Sequence, residues 1–275
     1  MARTARKHPP TLAGQTLVGA TAAAAALILG IALALSPTIS GPAAAQEQSR
    51  ADGLTPVQVE GIEQIVHDYL LANPQVLMQS LNEFQQRQSA AKKLRQQQAV
   101  GLSRAALTQD PDAPVMGNPE GDVTIVEFFD YKCPYCKRVA GTLKDVVAAD
   151  GNIRLVMKEF PILGPRSIQA ARAALAVARQ GKYEKFHWAL MTEPGDMSDP
   201  HIRRIARSVG VDVERMMADM ESPEIQAMIQ RNQELAQMLQ ISGTPAFVIG
   251  EALVPGAIDR KTFERLVAQA RARES

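Results

Sequence analysis

The two cysteines of the chain, Cys133 and Cys136, are the residues whose types and spacing most clearly suggest chemistry. They stand three positions apart in the segment Cys-Pro-Tyr-Cys, and the chain has no other cysteine. A disulfide that closes so small a loop restricts the unfolded chain very little, so the spacing does not suit a structural crosslink. It suits a pair of thiols that opens and closes in thiol–disulfide exchange, or a pair that binds a metal ion.

A buried strand and a helix are predicted on the two sides of Cys133. Residues Val123 to Phe129 are β-branched, aromatic and nearly all apolar, which is typical of a strand covered on both faces. A helix is predicted from Cys133 to about Ala149 and a second strand from Ile153 to Phe160. The unit is therefore predicted to be βαβ.

This placement predicts different roles for the two thiols. The unpaired N–H groups and the dipole at a helix N-terminus favour an anion, so Cys133 is predicted to be the thiolate nucleophile. Cys136, one helical turn further, is predicted to be the resolving thiol that closes or opens the ring. Pro134 suits the first turn because it has no N–H group to leave unpaired.

The metal-binding alternative lacks further ligands. A structural zinc site needs four protein ligands, and the sequence offers no second cysteine pair. His67, His187 and His201 show no ligand spacing with one another. We therefore predict redox chemistry with no metal or other cofactor. His187 and its neighbour Trp188 are interpreted as packing or surface residues rather than catalysts.

Glu127 is the one carboxylate within the predicted strand before the cysteines. If its side chain faces the core, burial penalises the charged form and raises the carboxyl pKa toward neutrality. If it faces solvent, it is an ordinary surface residue. Because perturbed carboxylates cluster at functional sites, the first alternative makes Glu127 a candidate catalytic residue.

Residues 1–45 are predicted to direct export rather than to join the fold. Basic residues within the first seven positions precede an uncharged apolar run from Leu17 to Leu35, and Ala43-Ala44-Ala45 offers the small residues that a signal peptidase needs. The predicted protein is then periplasmic and soluble after cleavage. The apolar run is also long enough to span a bilayer, so an inner-membrane anchor facing the periplasm is the alternative.

Residues 46–112 are predicted to form an N-terminal helical extension. Thr55-Pro56 begins one helix, and Asn73-Pro74 ends it and begins a second, whose apolar face fades after Phe84 into an amide-rich and Lys/Arg-rich stretch. A helix that is polar nearly all round either projects into solvent as a linker or pairs with copies of itself. The extension is therefore a candidate oligomerisation region.

A second domain is predicted over residues 113–275. It begins at a loop rich in proline and glycine between residues 111 and 119. A helical insertion from about residue 164 to 240 separates the βαβ unit from two short strands, Ala246 to Ile249 and about Ala252 to Val254. Asp259 is predicted to cap a last helix that runs through Leu266.

Three segments together resemble the bacterial DsbA-like oxidoreductases. They are Val126-Glu127-Phe128-Phe129-Asp130-Tyr131 before the cysteines, Lys158-Glu159-Phe160-Pro161-Ile162-Leu163-Gly164 after them, and Gly243-Thr244-Pro245-Ala246-Phe247 late in the chain. The similarity runs from about Thr55 to the C-terminus and is to the branch with an N-terminal helical extension, which includes the ScsC type. It implies an α/β chain: a thioredoxin fold with an inserted helical domain, plus that extension.

The resemblance also implies roles for residues outside the cysteine pair. Glu127 would relay a proton to or from the second cysteine. Thr244-Pro245 would form a cis-proline loop that faces the cysteines, with Pro245 in the catalytic site and Thr244 pairing with an extended substrate. Pro134 and Tyr135, between the cysteines, would contact substrate as well.

The resemblance does not decide the direction of electron flow. Tyr135 stands where many strongly oxidising members carry histidine, and Cys-Pro-Tyr-Cys also occurs in glutaredoxins. We predict a disulfide oxidase or isomerase that acts on unfolded or misfolded exported proteins and is recycled by a membrane redox partner. The alternatives are a partner-specific disulfide reductase and a copper-handling protein that uses the same two thiols. A net charge of +1 with interspersed acidic and basic residues predicts no nucleic-acid partner.

Overall fold

The computed structural model describes residues 53–194 and 196–274. The predicted export segment, residues 1–45, lies outside them. The chain divides into two compact units, one ending at Ala72 and the other beginning at Asn73. Within the described residues, no helix combines the length and the apolarity needed to cross a bilayer.

The described part of the first unit is one helix, α1 (Pro56–Ala72). The Thr55 backbone N–H, just before it, donates to the Gln58 side chain at 2.8 Å, which is a capping-box interaction at the predicted start of the helix. None of the side chains of α1 is buried.

The second unit contains a five-stranded sheet with helices on both faces. Its elements are α2 (Pro74–Leu102), α3 (Arg104–Thr108), β1 (Val115–Gly117), β2 (Val123–Phe129), α4 (Pro134–Asp150), β3 (Ile153–Glu159), α5 (Pro165–Ala178), α6 (Tyr183–Thr192), α7 (Asp199–Ser208), α8 (Val213–Asp219), α9 (Pro223–Met238), β4 (Ala246–Ile249), β5 (Ala252–Pro255) and α10 (Arg260–Glu274).

The strands lie in the order β1-β3-β2-β4-β5. β2 and β3 are parallel and joined by α4, and the other neighbouring pairs are antiparallel. Helices α5 to α9 are inserted between β3 and β4, as the sequence predicts for residues 164–240. This is the thioredoxin fold with a helical insertion.

The two faces of β2 belong to different parts of the core because strand side chains alternate. Ile125 and Phe129 pack in the large cluster that contains Cys136 and residues of α5 to α8. Val126 and Phe128 pack in a smaller cluster with Val100 at the end of α2, with α3 and with the last turns of α9. Both faces are covered, so β2 is apolar almost throughout.

Three features differ from the sequence predictions. The predicted loop between residues 111 and 119 contains strand β1, which ends at Gly117; a Cβ there would lie 2.6 Å from the Ile153 carbonyl oxygen, so glycine allows β1 to pair with β3. Val100 and Leu107 pack against the sheet, whereas the sequence places the domain boundary near residue 112. The last helix extends from Arg260 to Glu274 rather than ending at Leu266.

Candidate active site

Cys133 lies at the junction of strand β2 and helix α4. Its backbone is extended (φ −71°, ψ 119°) at the position that caps the helix, and Pro134 begins the first turn. The Cys133 carbonyl accepts a hydrogen bond from Lys137 N at 3.1 Å, so the helix begins directly after the thiol. The sulfur therefore stands at the end of the helix where unpaired N–H groups point.

The Cys133 thiol meets the loop between α9 and β4. Its Sγ donates to the Thr244 carbonyl oxygen at 3.1 Å, across 111 positions of sequence. The following Thr244–Pro245 peptide bond is cis, and the Pro245 carbonyl accepts from Gly256 N at 2.8 Å. The cis-proline loop thus faces Cys133, the predicted nucleophile.

Cys136 lies one turn into α4 and is fully buried. The structure holds both cysteines as free thiols. Burial raises the pKa of the Cys136 thiol, and the negative charge of Glu127 raises it further. A thiolate at Cys136 is therefore costly unless a proton can be delivered as it forms.

Glu127 faces the core, so the buried alternative is the correct one. It lies on the same face of β2 as Ile125 and Phe129, the face that α4 covers, and its side chain is 2% exposed. Burial raises its carboxyl pKa to about 8. A carboxyl group with this pKa exchanges a proton near neutral pH. When it is ionised, its negative charge raises the pKa of the Cys136 thiol.

Pro134 and Tyr135 are exposed between the two cysteines. The Arg138 guanidinium lies over the Tyr135 ring, 5.1 Å from its centroid. The structure thus brings together Cys133, Cys136 and Glu127 with the Thr244–Pro245 loop, and it leaves the dipeptide between the cysteines exposed.

Asp130 is a site residue to which the sequence analysis gave no role. Its buried carboxylate accepts backbone hydrogen bonds from Lys132 N at 2.7 Å, Ile162 N at 2.9 Å and Leu163 N at 3.0 Å. It therefore joins the segment before Cys133 to the segment after β3. The sequence shows Asp130 in the first of the three family motifs, but it does not show which backbone N–H groups the Asp130 carboxylate binds.

Glu159 is a second residue that the sequence analysis missed. Its carboxylate is fully buried and accepts from Tyr131 Oη at 3.1 Å and from Tyr183 Oη at 2.9 Å. Burial raises its pKa well above the usual value, against the lowering effect of the two hydroxyl donors. The signal that identified Glu127, an acidic residue in an apolar strand, applies to Glu159 as well.

His187 packs beside this carboxylate. Its Nδ1 lies 3.1 Å from Tyr131 Oη, and its ring stacks on that of Tyr183. Burial lowers its pKa to about 3, so the ring is neutral at physiological pH. The interpretation of His187 as a packing residue fits this position, and Trp188 beside it is partly buried.

No group of three or more potential metal ligands occurs within the part of the chain that the structure describes. The groups that the fold brings together at this site are the Cys133 and Cys136 thiols and the buried carboxyl group of Glu127.

Two family models match the chain. A DsbA-like thioredoxin domain matches residues 124–268, and the N-terminal domain of the copper resistance protein ScsC matches residues 58–91. The first match spans β2 to α10, and the second spans most of α1 and the first half of α2.

Solved structures with the same fold cover both regions. A thioredoxin-like oxidoreductase from Silicibacter pomeroyi is 53% identical, with a TM-score of 0.60 over 62% of this chain and 98% of that one. Salmonella enterica Typhimurium BcfH is 26% identical, with a TM-score of 0.68 over 83% of this chain and 99% of that one. A linker-deletion variant of Proteus mirabilis ScsC is 27% identical, with a TM-score of 0.63 over 80% and 98%.

The similarity to curated proteins is to part of longer chains. A protein named Na(+)/H(+) antiporter NhaA 1 from Mycolicibacterium gilvum is 30% identical over 168 residues, which is 59% of this chain. The matched region is 27% of the length of that relative.

Proposed function

The chain belongs to the DsbA-like thioredoxin family, and on this premise we propose that it catalyses thiol–disulfide exchange in exported proteins through Cys133 and Cys136. The observation that carries the proposal is the position of Cys133. Cys133 stands at the N-cap position of α4, its thiol donates to the Thr244 carbonyl beside cis-Pro245, and the buried Cys136 thiol lies one turn further along the helix. A substrate sulfur that displaces this hydrogen bond comes into contact with Cys133 Sγ. It then lies beside the backbone of Thr244, which is released to bind the substrate chain.

The exchange proceeds in two steps, and in each step a thiolate attacks one sulfur of a disulfide and the other sulfur leaves. In the oxidising direction, a substrate thiolate attacks the Cys133 sulfur of the Cys133–Cys136 disulfide, and Cys136 leaves. A second substrate thiolate then attacks the substrate sulfur bound to Cys133, so the substrate gains a disulfide and Cys133 leaves as thiolate. In the reducing direction the same steps run backwards.

Glu127 is proposed to be the proton donor and acceptor for Cys136. The leaving sulfur of Cys136 is buried, and burial disfavours its thiolate. A carboxyl group with a pKa of about 8 is largely protonated at pH 7 and can supply the proton. In the reverse direction, ionised Glu127 accepts the proton when Cys136 attacks the mixed disulfide.

The choice between oxidase and isomerase is proposed to depend on self-association. An isomerase must hold a misfolded chain while its disulfides rearrange, and several active sites in one assembly suit that task. Helix α1 and the first half of α2 expose apolar side chains, including Ile62, Ile65 and Phe84. These helices are proposed to associate with copies of themselves, which favours isomerase activity.

A membrane redox partner is proposed to recycle the cysteine pair. The predicted export of the residues after Ala45 supports a periplasmic site of action.

Copper handling is the second candidate, because residues 58–91 match a domain named after a copper resistance protein. Two adjacent thiolates can bind Cu(I), which prefers soft ligands. Titration of the reduced protein with Cu(I) tests it. Stoichiometric binding that blocks both thiols to alkylation, together with no exchange activity, would favour this candidate.

The test of the main proposal compares two refolding assays on the chain without residues 1–45. An oxidase restores activity to reduced ribonuclease, an isomerase restores it to ribonuclease with scrambled disulfides, and a partner-specific reductase restores neither. We expect activity in the scrambled assay, lost in a Cys133→Ser variant. Inactivity of the wild-type chain in both assays would refute the proposal.

A further inference from the structure

Helices α5 and α9 of the helical insertion border a groove of about 470 Å³. Helix α5 contributes Ile168 and Arg172, which lie four positions apart and therefore on one face of the helix. Helix α9 contributes one apolar residue, Ile229, and a set of polar ones: Gln226, Gln230, Gln233, Glu234 and Gln237. The groove therefore combines one arginine with a row of amides.

Arg172 lacks the partner that comparable arginines have. Four arginines of the described residues are partly buried, and three of them, Arg154, Arg203 and Arg271, each donate to an acceptor of the chain. The fourth, Arg172, has no hydrogen bond or ion pair within the described residues, and its Nε is buried. A buried donor without an acceptor is unfavourable, so an anionic group bound there would stabilise the protein.

The four glutamines of α9 form a row along the groove. Successive members are four, three and four positions apart, which places them on one face of the helix. Gln230 donates to Glu234 Oε1 at 2.9 Å, and the other three amides have no hydrogen bond within the described residues. An amide side chain donates and accepts as a peptide group does. The row spans roughly 16 Å, the length of an extended segment of about five residues.

The charges of the groove indicate the kind of ligand. Arg172 and Glu234 are the charged residues among those that line it, so it has no excess of positive charge for a nucleic acid or another polyanion. A guanidinium group binds one carboxylate through two parallel hydrogen bonds. Glu234 is exposed, so solvent and salt screen its repulsion of a second carboxylate. One carboxylate on an extended peptide matches one guanidinium beside a row of amides.

The groove leads away from the active site. Helix α5 begins at Pro165, two positions after Leu163, whose N–H is bound to the loop before the cysteines. Helix α9 ends at Met238, six positions before Thr244, which accepts from Cys133. One end of each helix therefore lies near the cysteine pair, and a partner segment in the groove continues toward it.

We propose that the groove between α5 and α9 is a binding site, separate from the cysteine pair, for an acidic segment of a protein partner. Arg172 binds one carboxylate of that segment, and the glutamine row of α9 binds its backbone. Binding forms no covalent bond and uses neither thiol. The inference therefore goes beyond the proposed exchange function and can be tested without it.

Two peptides of about seven residues, slightly longer than the row, test the site. Both are acetylated and amidated, so that their ends carry no charge, and they differ in one central residue, which is aspartate in one and asparagine in the other. Isothermal titration calorimetry at low ionic strength, with the chain without residues 1–45, gives Kd for each peptide. We expect the aspartate peptide to bind about tenfold tighter, because it alone forms the charge-assisted pair.

Replacing the arginine should abolish this preference. Arg172→Met should make the two Kd values equal, and Arg172→Lys should keep part of the preference, because it keeps the charge without the planar fork. Arg207→Met is the matched control: it removes the same charge from an exposed position in α7 outside the groove, and its preference should equal that of the wild-type chain. Cys133→Ser/Cys136→Ser should keep both Kd values, since the site uses neither thiol.

Thermal unfolding followed by circular dichroism separates binding from a structural role. Arg172→Met removes a donor without an acceptor, so Tm should stay unchanged or rise. A lower Tm together with an unchanged preference would show that Arg172 only supports the fold. If Arg172→Met does not fold, two milder variants replace it. Arg172→Lys should reduce the preference, and Gln233→Ala should weaken both peptides by the same factor, because it removes a backbone contact.

Other results would also overturn the inference. They are no measurable binding of either peptide, equal Kd values in the wild-type chain, a preference that survives in Arg172→Met, and a preference that Arg207→Met loses as well. Inorganic phosphate that displaces the aspartate peptide at equal concentration would show a site for small anions instead. None of these results bears on the refolding assays, so this inference and the exchange function fail separately.

Discussion

The catalytic fold, which is the domain from residue 103 onward that contains both cysteines, covers most of its large apolar side chains. The N-terminal helices α1 and α2 leave most of theirs exposed. Within the described residues of this domain, four large apolar or aromatic side chains are exposed. Three of them, Tyr135, Ile162 and Leu163, lie in or next to the loop of residues 130–136. Helix α1 buries none of its side chains, and α2 buries Val100 alone. A fold that covers its own core needs no partner to be stable, whereas helices with uncovered apolar faces gain free energy by covering them.

The difference indicates a division of labour. Chemistry is confined to the catalytic fold, where the cysteines, Glu127 and the cis-proline loop meet. The helices contribute surface without any of these groups. Changes in one region should therefore leave the property of the other intact.

The largest effect is expected from the cysteines themselves. Cys136→Ala should accumulate mixed disulfides through Cys133, because the thiol that expels the substrate is gone, and turnover should fall by about a thousandfold or more. Cys133→Ala should lose turnover equally and trap nothing. Non-reducing gel electrophoresis with a cysteine-containing peptide measures both. Equal trapping by the two variants would show that the nucleophile has been assigned wrongly.

Replacing Leu81 and Phe84 in α2 by serine should convert the proposed assembly of several copies of this chain into monomers. Both side chains are exposed in the single chain, and no side chain in the first half of α2 is buried. Sedimentation velocity of the chain without residues 1–45 measures the change, and the rate of exchange with a small disulfide reports the catalytic fold. A wild-type chain that already sediments as a monomer would remove the basis for self-association.

Removing residues 46–92 should separate the two regions physically. In the last turns of α2, Gln96, Gln97 and Ala99 are partly buried and Val100 is buried, so this deletion keeps the part of the helix that packs against the sheet. The shortened chain should fold, stay monomeric and react with small disulfides at the wild-type rate. Thermal unfolding followed by circular dichroism checks the fold. A shortened chain that does not fold would contradict the independence of the catalytic fold.

Glu127→Gln should stabilise the protein at alkaline pH and slow exchange. The folded pKa of about 8 lies above the ordinary 4.5, so the folded state retains a proton that the unfolded chain loses. The contribution of Glu127 is thus fully present below about pH 4.5 and is lost as pH rises through about 8. At pH 9 the variant should exceed the wild-type free energy of unfolding by an amount on the order of 5 kcal/mol.

Urea denaturation between pH 5 and pH 9 measures this difference. The pKa of Glu159 is raised mainly by burial, which the two proteins share, and the charge of Glu127 is the smallest of its named causes, so the contribution of Glu159 largely cancels in the comparison. Glu60→Gln, at an exposed position in α1, is the control and should show no such difference. A Glu127→Gln variant whose stability follows the wild-type curve at every pH would argue against a buried, protonated Glu127.

The smallest effect is expected at Tyr183. Its hydroxyl is one of two donors to Glu159, so Tyr183→Phe should destabilise the fold by about 1–2 kcal/mol. The oligomeric state should not change, because the contact lies wholly within the catalytic fold. Urea denaturation and sedimentation velocity measure the two properties. A change in assembly would show that the two regions are coupled.

Local pattern was enough to predict the elements around the active site. The largely apolar run of residues 123–129 predicted β2 with its observed bounds, because a strand covered on both faces has apolar side chains at most of its positions. Cysteine spacing and Pro134 predicted the start of α4 within one residue. The family motif at Thr244–Pro245 predicted the cis bond that the structure has. Each signal lies within a few neighbouring residues.

The tertiary structure decided which distant groups meet. Cys133 donates to Thr244 across 111 positions, Asp130 accepts from Ile162 across 32, and Glu159 accepts from Tyr131 across 28. Strand β1 was missed because three residues carry too little periodicity to identify a strand, and it exists through its pairing with β3. The sequence by itself determined the reactive groups and the local backbone. Only the packed sheet brought acids, tyrosines and thiols together, because their contacts depend on strand order and helix packing rather than on neighbouring residues.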